Sequence, residues 1–180
     1  MHSTTSRHSH VRQMVSCALF AALAGVCSQL AIPTPWGIPV NLALFAVYMA
    51  GTMLGPVWGG ASLGVYLALA AIGVPIMAGF QGGPAALFGK TGGYAVGYLL
   101  GAVVTGLVAA HRPRGFVRLA AACVMGCAAC YALGTVWYMV LTGLGLVQSL
   151  AVCVVPYLPG DVLKILLASL LTMQLDRRGF

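Results

Sequence analysis

The 180 residues are 61% hydrophobic and only 6% charged, with a mean hydropathy of +0.98. So few polar side chains cannot clothe a water-exposed surface, and the chain must face lipid over most of its area. Nine Lys and Arg stand against two carboxylates, Asp161 and Asp176, a balance that suits nucleic acid or the anionic face of a membrane, and position decides between them. Arg7, Arg12, Arg112, Arg114, Arg118, Arg177 and Arg178 gather in three clusters that flank apolar runs, which is the pattern of cytoplasmic loops and sets nucleic acid aside as a partner.

In chain order, residues 1–12 are polar and basic and read as a frayed cytoplasmic tail. His2, His8 and His10 within it have no spacing that fixes a coordination geometry, and no metal is assigned to them. Residues 13–32 form the first apolar run, read as an uncleaved helix because no small-residue cleavage site precedes Pro33-Thr34-Pro35. The prolines and glycine of 33–39 end it in an outer loop.

A short second span runs over about 40–54 and stops at Gly55-Pro56, a tight inner turn. The third runs over about 57–77, and residues 80–93 (FQGGPAALFGKTGG) follow with five glycines and one proline. Backbone so irregular is tolerated at membrane depth only when it is buried in protein or lines a wet cavity. The fourth span, about 92–110, ends in the basic loop HRPRGFVR. The fifth, about 117–142, is broken by Gly143 and Gly145. Residues 146–155 are too short to cross and read as a partial helix at the outer surface, bracketed by Pro156 and Pro159. The last span begins near Gly160 and ends at Asp176-Arg177-Arg178.

The predicted fold is therefore an all-α integral membrane protein with six transmembrane helices and both termini cytoplasmic, residues 13–178 making one domain. Five or seven spans would place Arg177 and Arg178 on the wrong side.

Asp161 and Lys164 stand at the head of the last span, three residues apart and so on one helical face. Ionisable residues inside a membrane are costly and mark a site by default, and a site is favoured here over a structural ion pair near the interface because the Pro-Gly break also exposes helix amides for ligand contact. A carboxylate accepting two N–H donors beside an ammonium that meets an anion suits a ligand with a urea-like head and a carboxylate tail. Gly89-Lys90-Thr91 reproduces the end of a phosphate-binding loop, but the required glycine five residues earlier is Pro84, so nucleotide binding by this chain is rejected and no cofactor is expected. What remains is a glycine-rich loop able to bring backbone amides and Lys90 to a ligand.

Gly93, Gly97, Gly101 and Thr105 form a small-residue stripe at a spacing of four, and Ala18 and Ala22 a shorter one, suited to close helix packing or, for the second, to docking of a partner helix. Cys127 and Cys130 lie in an apolar run without basic neighbours, where a thiol stays protonated. With two distant carboxylates, one internal histidine (His111) and no nucleophile or metal signature, the chain does not read as an enzyme.

Three stretches, GxPxxAG at 73–79, GxTGGYxxGY at 89–98 and PGDxxK at 159–164, resemble in order and spacing the biotin-specific substrate-binding (S) components of energy-coupling-factor (ECF) vitamin transporters. The resemblance implies a vitamin pocket near the outer surface of a bacterial inner membrane, closed by outer loops, with biotin as ligand. It implies that Asp161 and Lys164 hold the ligand's polar ends, with Gly92, Gly93 and Tyr94 near the pocket wall and Phe80 and Asn41 as further contacts. It also implies a transmembrane coupling subunit, met through Ala18 and Ala22, and two ATPase subunits that hydrolyse ATP. Two departures stand out: Pro39-Val40-Asn41-Leu42-Ala43-Leu44 is less polar than the family's usual run, and Lys90 replaces a usual proline, adding a cation near the expected carboxylate site.

Overall fold

The computed structural model describes residues 4–35, 38–110 and 115–178, with residues 4–9 described in backbone only. Helix α1 (Thr4–Gln29) is followed by a two-stranded antiparallel hairpin, β1 (Ala31–Ile32) and β2 (Val40–Asn41), in which Ala31 pairs with Asn41 and Ile32 with Val40. Then come α2 (Ala43–Ala71), one helical turn α3 (Pro84–Leu87), α4 (Gly92–Ala109), α5 (Phe116–Thr142), the short α6 (Leu146–Cys153), a 3-10 turn at Val155–Tyr157 and α7 (Leu158–Arg177). The helix begins at Thr4, so the described part of the polar start continues α1 instead of fraying. Of the tail histidines, His2 lies outside the described residues, as do His111, Arg112 and Arg114 of the basic loop.

Among the described residues, five helical stretches are long and apolar enough to cross a membrane, one of them Ala43–Ala71. That stretch is two crossings. Gly55 has φ +78 and ψ −176 and interrupts the helix ahead of Pro56. A Cβ placed on Gly59 would lie 2.9 Å from the Ala50 carbonyl oxygen and 3.1 Å from the Gly51 Cα. Nine residues of continuous helix would hold 50 and 59 about 13 Å apart, so the limbs 43–54 and 56–71 run antiparallel.

Helix α4 fixes the same reversal from the side. Gly51 meets Ala102 and Thr105, and Val47 meets Gly101, while on the other limb Gly60 meets Val103 and Gly64 meets Leu99. The chain thus has six membrane helices and is a multi-pass membrane protein, as the charge pattern predicts. Large apolar side chains such as Val57, Ile72, Val117 and Val140 are 76–80% exposed, a lipid-facing surface that a water-soluble chain would have to cover.

The first limb is short, 12 residues or about 18 Å. Above it the β1–β2 hairpin and the loop 72–91 take the place of helix, and their backbone is satisfied from side chains: Thr34 Oγ1 donates to Ile38 O (2.6 Å), Tyr157 OH donates to Ile38 O, and Trp137 Nε1 donates to Gly89 O (3.1 Å). The predicted irregular segment 80–93 therefore contains one helical turn, α3, begun by Pro84. The predicted partial helix at 146–155 is α6, and Gly143 caps α5 with φ +70 as the sequence suggested. Helix α7 starts two residues ahead of Gly160, with Pro159 in its first turn, where a missing N–H costs nothing.

The predicted small-residue stripe packs α4 onto α5. A Cβ on Gly93 would fall 2.2 Å from the Trp137 Cβ, one on Gly97 would meet Cys130 at 3.0 Å, and one on Gly126 would collide with Thr105 Oγ1. Gly93→Ala should therefore lower the melting temperature in detergent by several degrees, an overpacking cost of about 1–3 kcal/mol. Gly115→Ala, whose added Cβ meets nothing within 4 Å among the described residues, should lower it far less.

Candidate functional site

The outer end of the bundle, opposite the Gly55–Pro56 turn, holds a small cavity of about 60 Å³. Its wall comes from every part of the chain. Helix α1 gives Ser28, the hairpin gives Ile38, Pro39 and Asn41, α2 gives Leu44 and Tyr66, and the loop after α2 gives Met77 and Ala78. Thr91, Tyr94, Ala95 and Tyr98 face it from α4 and its N-cap, Tyr131 from α5, Cys153 from α6, Tyr157 from the 3-10 turn, and Asp161 and Lys164 from α7.

Asp161 and Lys164 are 2% and 6% exposed, so both are withdrawn from bulk water. Lys164 Nζ donates to Asp161 Oδ1 at 2.9 Å, and Tyr131 OH donates to Asp161 Oδ2. One turn of helix brings the two charges together, and α5 supplies a neutral donor that holds the carboxylate's other oxygen. The carboxylate also stands in the first turn of α7, where the helix dipole favours negative charge.

The remaining wall is aromatic with sparse polar points. Tyr94 and Tyr131 meet edge to face with ring centroids 6.1 Å apart, and Tyr66 and Tyr98 lie at 6.4 Å. Ser28 Oγ pairs with Tyr66 OH at 3.1 Å, and Asn41 Oδ1 accepts from Tyr98 OH at 3.5 Å and from the Ala43 amide at 3.1 Å. The arrangement can hold a small solute by its polar ends at one wall and cover its apolar body with tyrosine rings.

The predicted residues divide. Asp161, Lys164, Tyr94 and Asn41 converge on the cavity. Lys90 does not: it is exposed, and its neighbour Thr91 takes the wall position, while Trp137 holds the carbonyl of the preceding Gly89. Gly92 and Gly93 are buried against Leu87 and Trp137, so they serve the close approach of α4 and not the cavity surface. Phe80 is 73% exposed and lines a separate outer hollow with Gln29, Ala31, Pro33 and Gln81. Ala18 and Ala22 lie on an exposed face of α1 beside Val15, Leu19 and Val26, uncovered by the rest of the chain.

Sequence reasoning missed Tyr66, Tyr98, Tyr131 and Tyr157. Five of the chain's seven tyrosines line the cavity, but a phenol within an apolar run reads as packing, so the sequence alone does not single them out.

Residues 1–179 match the model of the BioY family. The chain belongs to the BioY family. Its relatives include the biotin transporter BioY of Thermotoga maritima, 33% identical over 93% of this chain and 97% of that protein, and the biotin transporter BioY of Rhizobium etli, 34% identical over 89% and 90%. Among solved structures, the S-component for biotin from an ECF-type ABC transporter superposes with a TM-score of 0.86, covering 98% of this chain and 95% of that one at 26% identity. Members of this family are transporter components and not enzymes.

Removing one partner of a buried pair strands the other charge, which costs roughly 3–5 kcal/mol, whereas replacing both is far milder. Lys164→Met should thus lower the melting temperature of the ligand-free BioY protein more than the double variant Lys164→Met with Asp161→Asn, as read by thermal denaturation in detergent.

Proposed function

We propose that this BioY chain captures biotin from the outer side of a bacterial inner membrane, as the substrate-specific subunit of an ECF vitamin transporter. The observation that carries the reading is the buried Asp161–Lys164 pair opening onto an aromatic cavity at the outer end of the bundle, in a chain whose relatives are biotin transporters.

In this reading Asp161 accepts the two ureido N–H groups of biotin and Lys164 meets a biotin oxygen that carries negative charge or a lone pair. The tyrosine rings cover the bicyclic body and the aliphatic tail. Asn41 and Tyr94 complete the wall. Gly92 and Gly93 act through helix packing, Lys90 stays outside the contact set, and Phe80 acts at the approach to the cavity.

Uptake then depends on energy from elsewhere. A transmembrane coupling subunit docks on the uncovered α1 face around Ala18 and Ala22, whose small side chains let a partner helix come close, and two ATPase subunits hydrolyse ATP on the cytoplasmic side.

The test is equilibrium binding of labelled biotin to purified protein. Saturable binding is expected, with Asp161→Asn and Lys164→Ala each weakening it at least about a hundredfold, since a charge-assisted contact is lost and a buried charge is stranded. Tyr131→Phe should weaken it roughly tenfold through the loosened carboxylate, and Lys90→Ala should change it less than about twofold. An absence of saturable binding, or full binding by the Asp161 and Lys164 variants, overturns the reading. Competition with other vitamins tests the choice of biotin.

A further inference from the structure

The outer loop that follows α2 is folded back on itself and fastened to α1 by one side chain. Met77 and Gln81 exchange backbone hydrogen bonds (Met77 N to Gln81 O at 3.0 Å, Gln81 N to Met77 O at 3.3 Å), which makes residues 77–81 a small closed turn. Gln29, the last residue of α1, makes three hydrogen bonds to this segment. Its Nε2 donates to Pro75 O (3.2 Å) and Met77 O (2.9 Å), and its Oε1 accepts from the Phe80 amide (3.1 Å). Both halves of the amide are used, so no other residue type of this length reproduces the set.

The turn also carries strain. Phe80 is, among the described residues, the non-glycine residue with positive φ, +57. Such a conformation persists in a bulky residue only when its surroundings hold it. Phe80 is 73% exposed, so packing does not hold it; the Met77–Gln81 backbone pair and the amide contact to Gln29 do.

The turn's location gives this latch a consequence. An outer hollow of about 390 Å³ lies between the β1–β2 hairpin and the 77–81 turn. Pro39, Ala78 and Thr91 line both that hollow and the inner cavity, so they form the partition between them. Ala78 sits on the turn that Gln29 holds; Pro39 belongs to the hairpin and Thr91 to the α4 cap, each fixed by its own element.

From this we infer that the 77–81 turn is the movable side of the entrance to the cavity and that Gln29 is the positioning residue that latches it shut. Gln29 touches no ligand; it sets how often the passage between Pro39, Ala78 and Thr91 opens. The inference rests on the capture reading above for its kinetic consequence, but the latch itself is a property of the ligand-free chain. Loss of the latch accelerates entry and exit together, which distinguishes it from loss of a ligand contact, where exit alone accelerates.

The experiment compares the wild type with Gln29→Ala and Gln29→Glu, the second keeping length and the acceptor for the Phe80 amide while turning the two donor contacts into repulsion between oxygens. Association and dissociation of labelled biotin are timed by mixing and by chase. Both variants should show dissociation faster by roughly tenfold or more and association faster as well, so that the dissociation constant moves by less than either rate. Amide hydrogen exchange is followed in parallel without ligand: residues 76–82 should exchange faster by at least about tenfold in both variants, while residues 92–109 of α4 keep their protection.

Unchanged exchange over 76–82 in both variants overturns the latch, and so does faster dissociation with slowed or unchanged association. A variant that loses protection throughout α4 has unfolded more than the turn, and that result in both variants likewise overturns the assignment of Gln29 to the turn alone. Should the wild type bind no biotin, the capture reading falls, while accelerated exchange confined to 76–82 would still establish the latch.

Discussion

A carboxylate and an ammonium enclosed inside a lipid-embedded bundle impose the main constraint on this molecule. Desolvating either alone costs several kcal/mol, and their attraction repays it only with close geometry and with the remaining oxygens and protons occupied. Here the i, i+3 spacing on α7 sets the 2.9 Å contact, and Tyr131 from α5 occupies the second carboxylate oxygen. The position of Asp161 in the first turn of α7 adds the helix dipole in the favourable sense. Both carboxylate oxygens are thus occupied within the chain, and the surrounding structure has to keep water and lipid headgroups from competing for the pair.

That requirement explains an otherwise uneconomical upper half. The first limb of α2 stops short, and a hairpin, a loop and one helical turn cover the gap it leaves. A full-length helix there would fill the cavity with its own side chains. The irregular cover is stable because its carbonyls at Ile38 and Gly89 accept from Thr34, Tyr157 and Trp137. The lower half is built on the opposite principle. Glycines at 51, 97, 101 and 126 bring α2, α4 and α5 into backbone contact, and Thr52 and Thr172 share a buried 2.9 Å hydrogen bond that ties α7 to the first limb. Beneath the charged pair α2, α4 and α5 meet backbone to backbone; above it the walls are tyrosine rings and loops.

This division governs what the sequence could reveal. Hydropathy and the arginine clusters set the spans, and Gly55-Pro56 marked the reversal that length alone hides, since 43–71 is apolar throughout. Asp161 and Lys164 were legible because a charge in an apolar run has few explanations. The tyrosines were not, because a phenol among leucines reads as packing, and the contact between Tyr131 and Asp161 joins residues thirty positions apart. Lys90 lies outside the cavity lining, exposed beside a Gly89 carbonyl that Trp137, far along the chain, holds. Gly92 and Gly93 pack against Leu87 and Trp137, and a glycine that makes room for a ligand and one that makes room for Trp137 look alike in one dimension.

The self-paired charges also bear on selectivity. In the proposed site an incoming solute would compete with the contact between Lys164 and Asp161, and whatever it offered to one member it would take from the other's surroundings. A solute with only an acid group satisfies Lys164 and leaves Asp161 leaning on Tyr131 alone; one with only N–H donors does the reverse. In a desolvated site an unmatched charge costs more than a matched one gains. Discrimination therefore favours solutes that carry both a paired N–H face and an acceptor at the right separation, and the tyrosine walls set that separation through shape. Closing the cavity lowers the local dielectric and enlarges both the reward for a full match and the penalty for a partial one. Selectivity in such a site is a property of the closed state, which makes the outer loops as important to recognition as the charges beneath them.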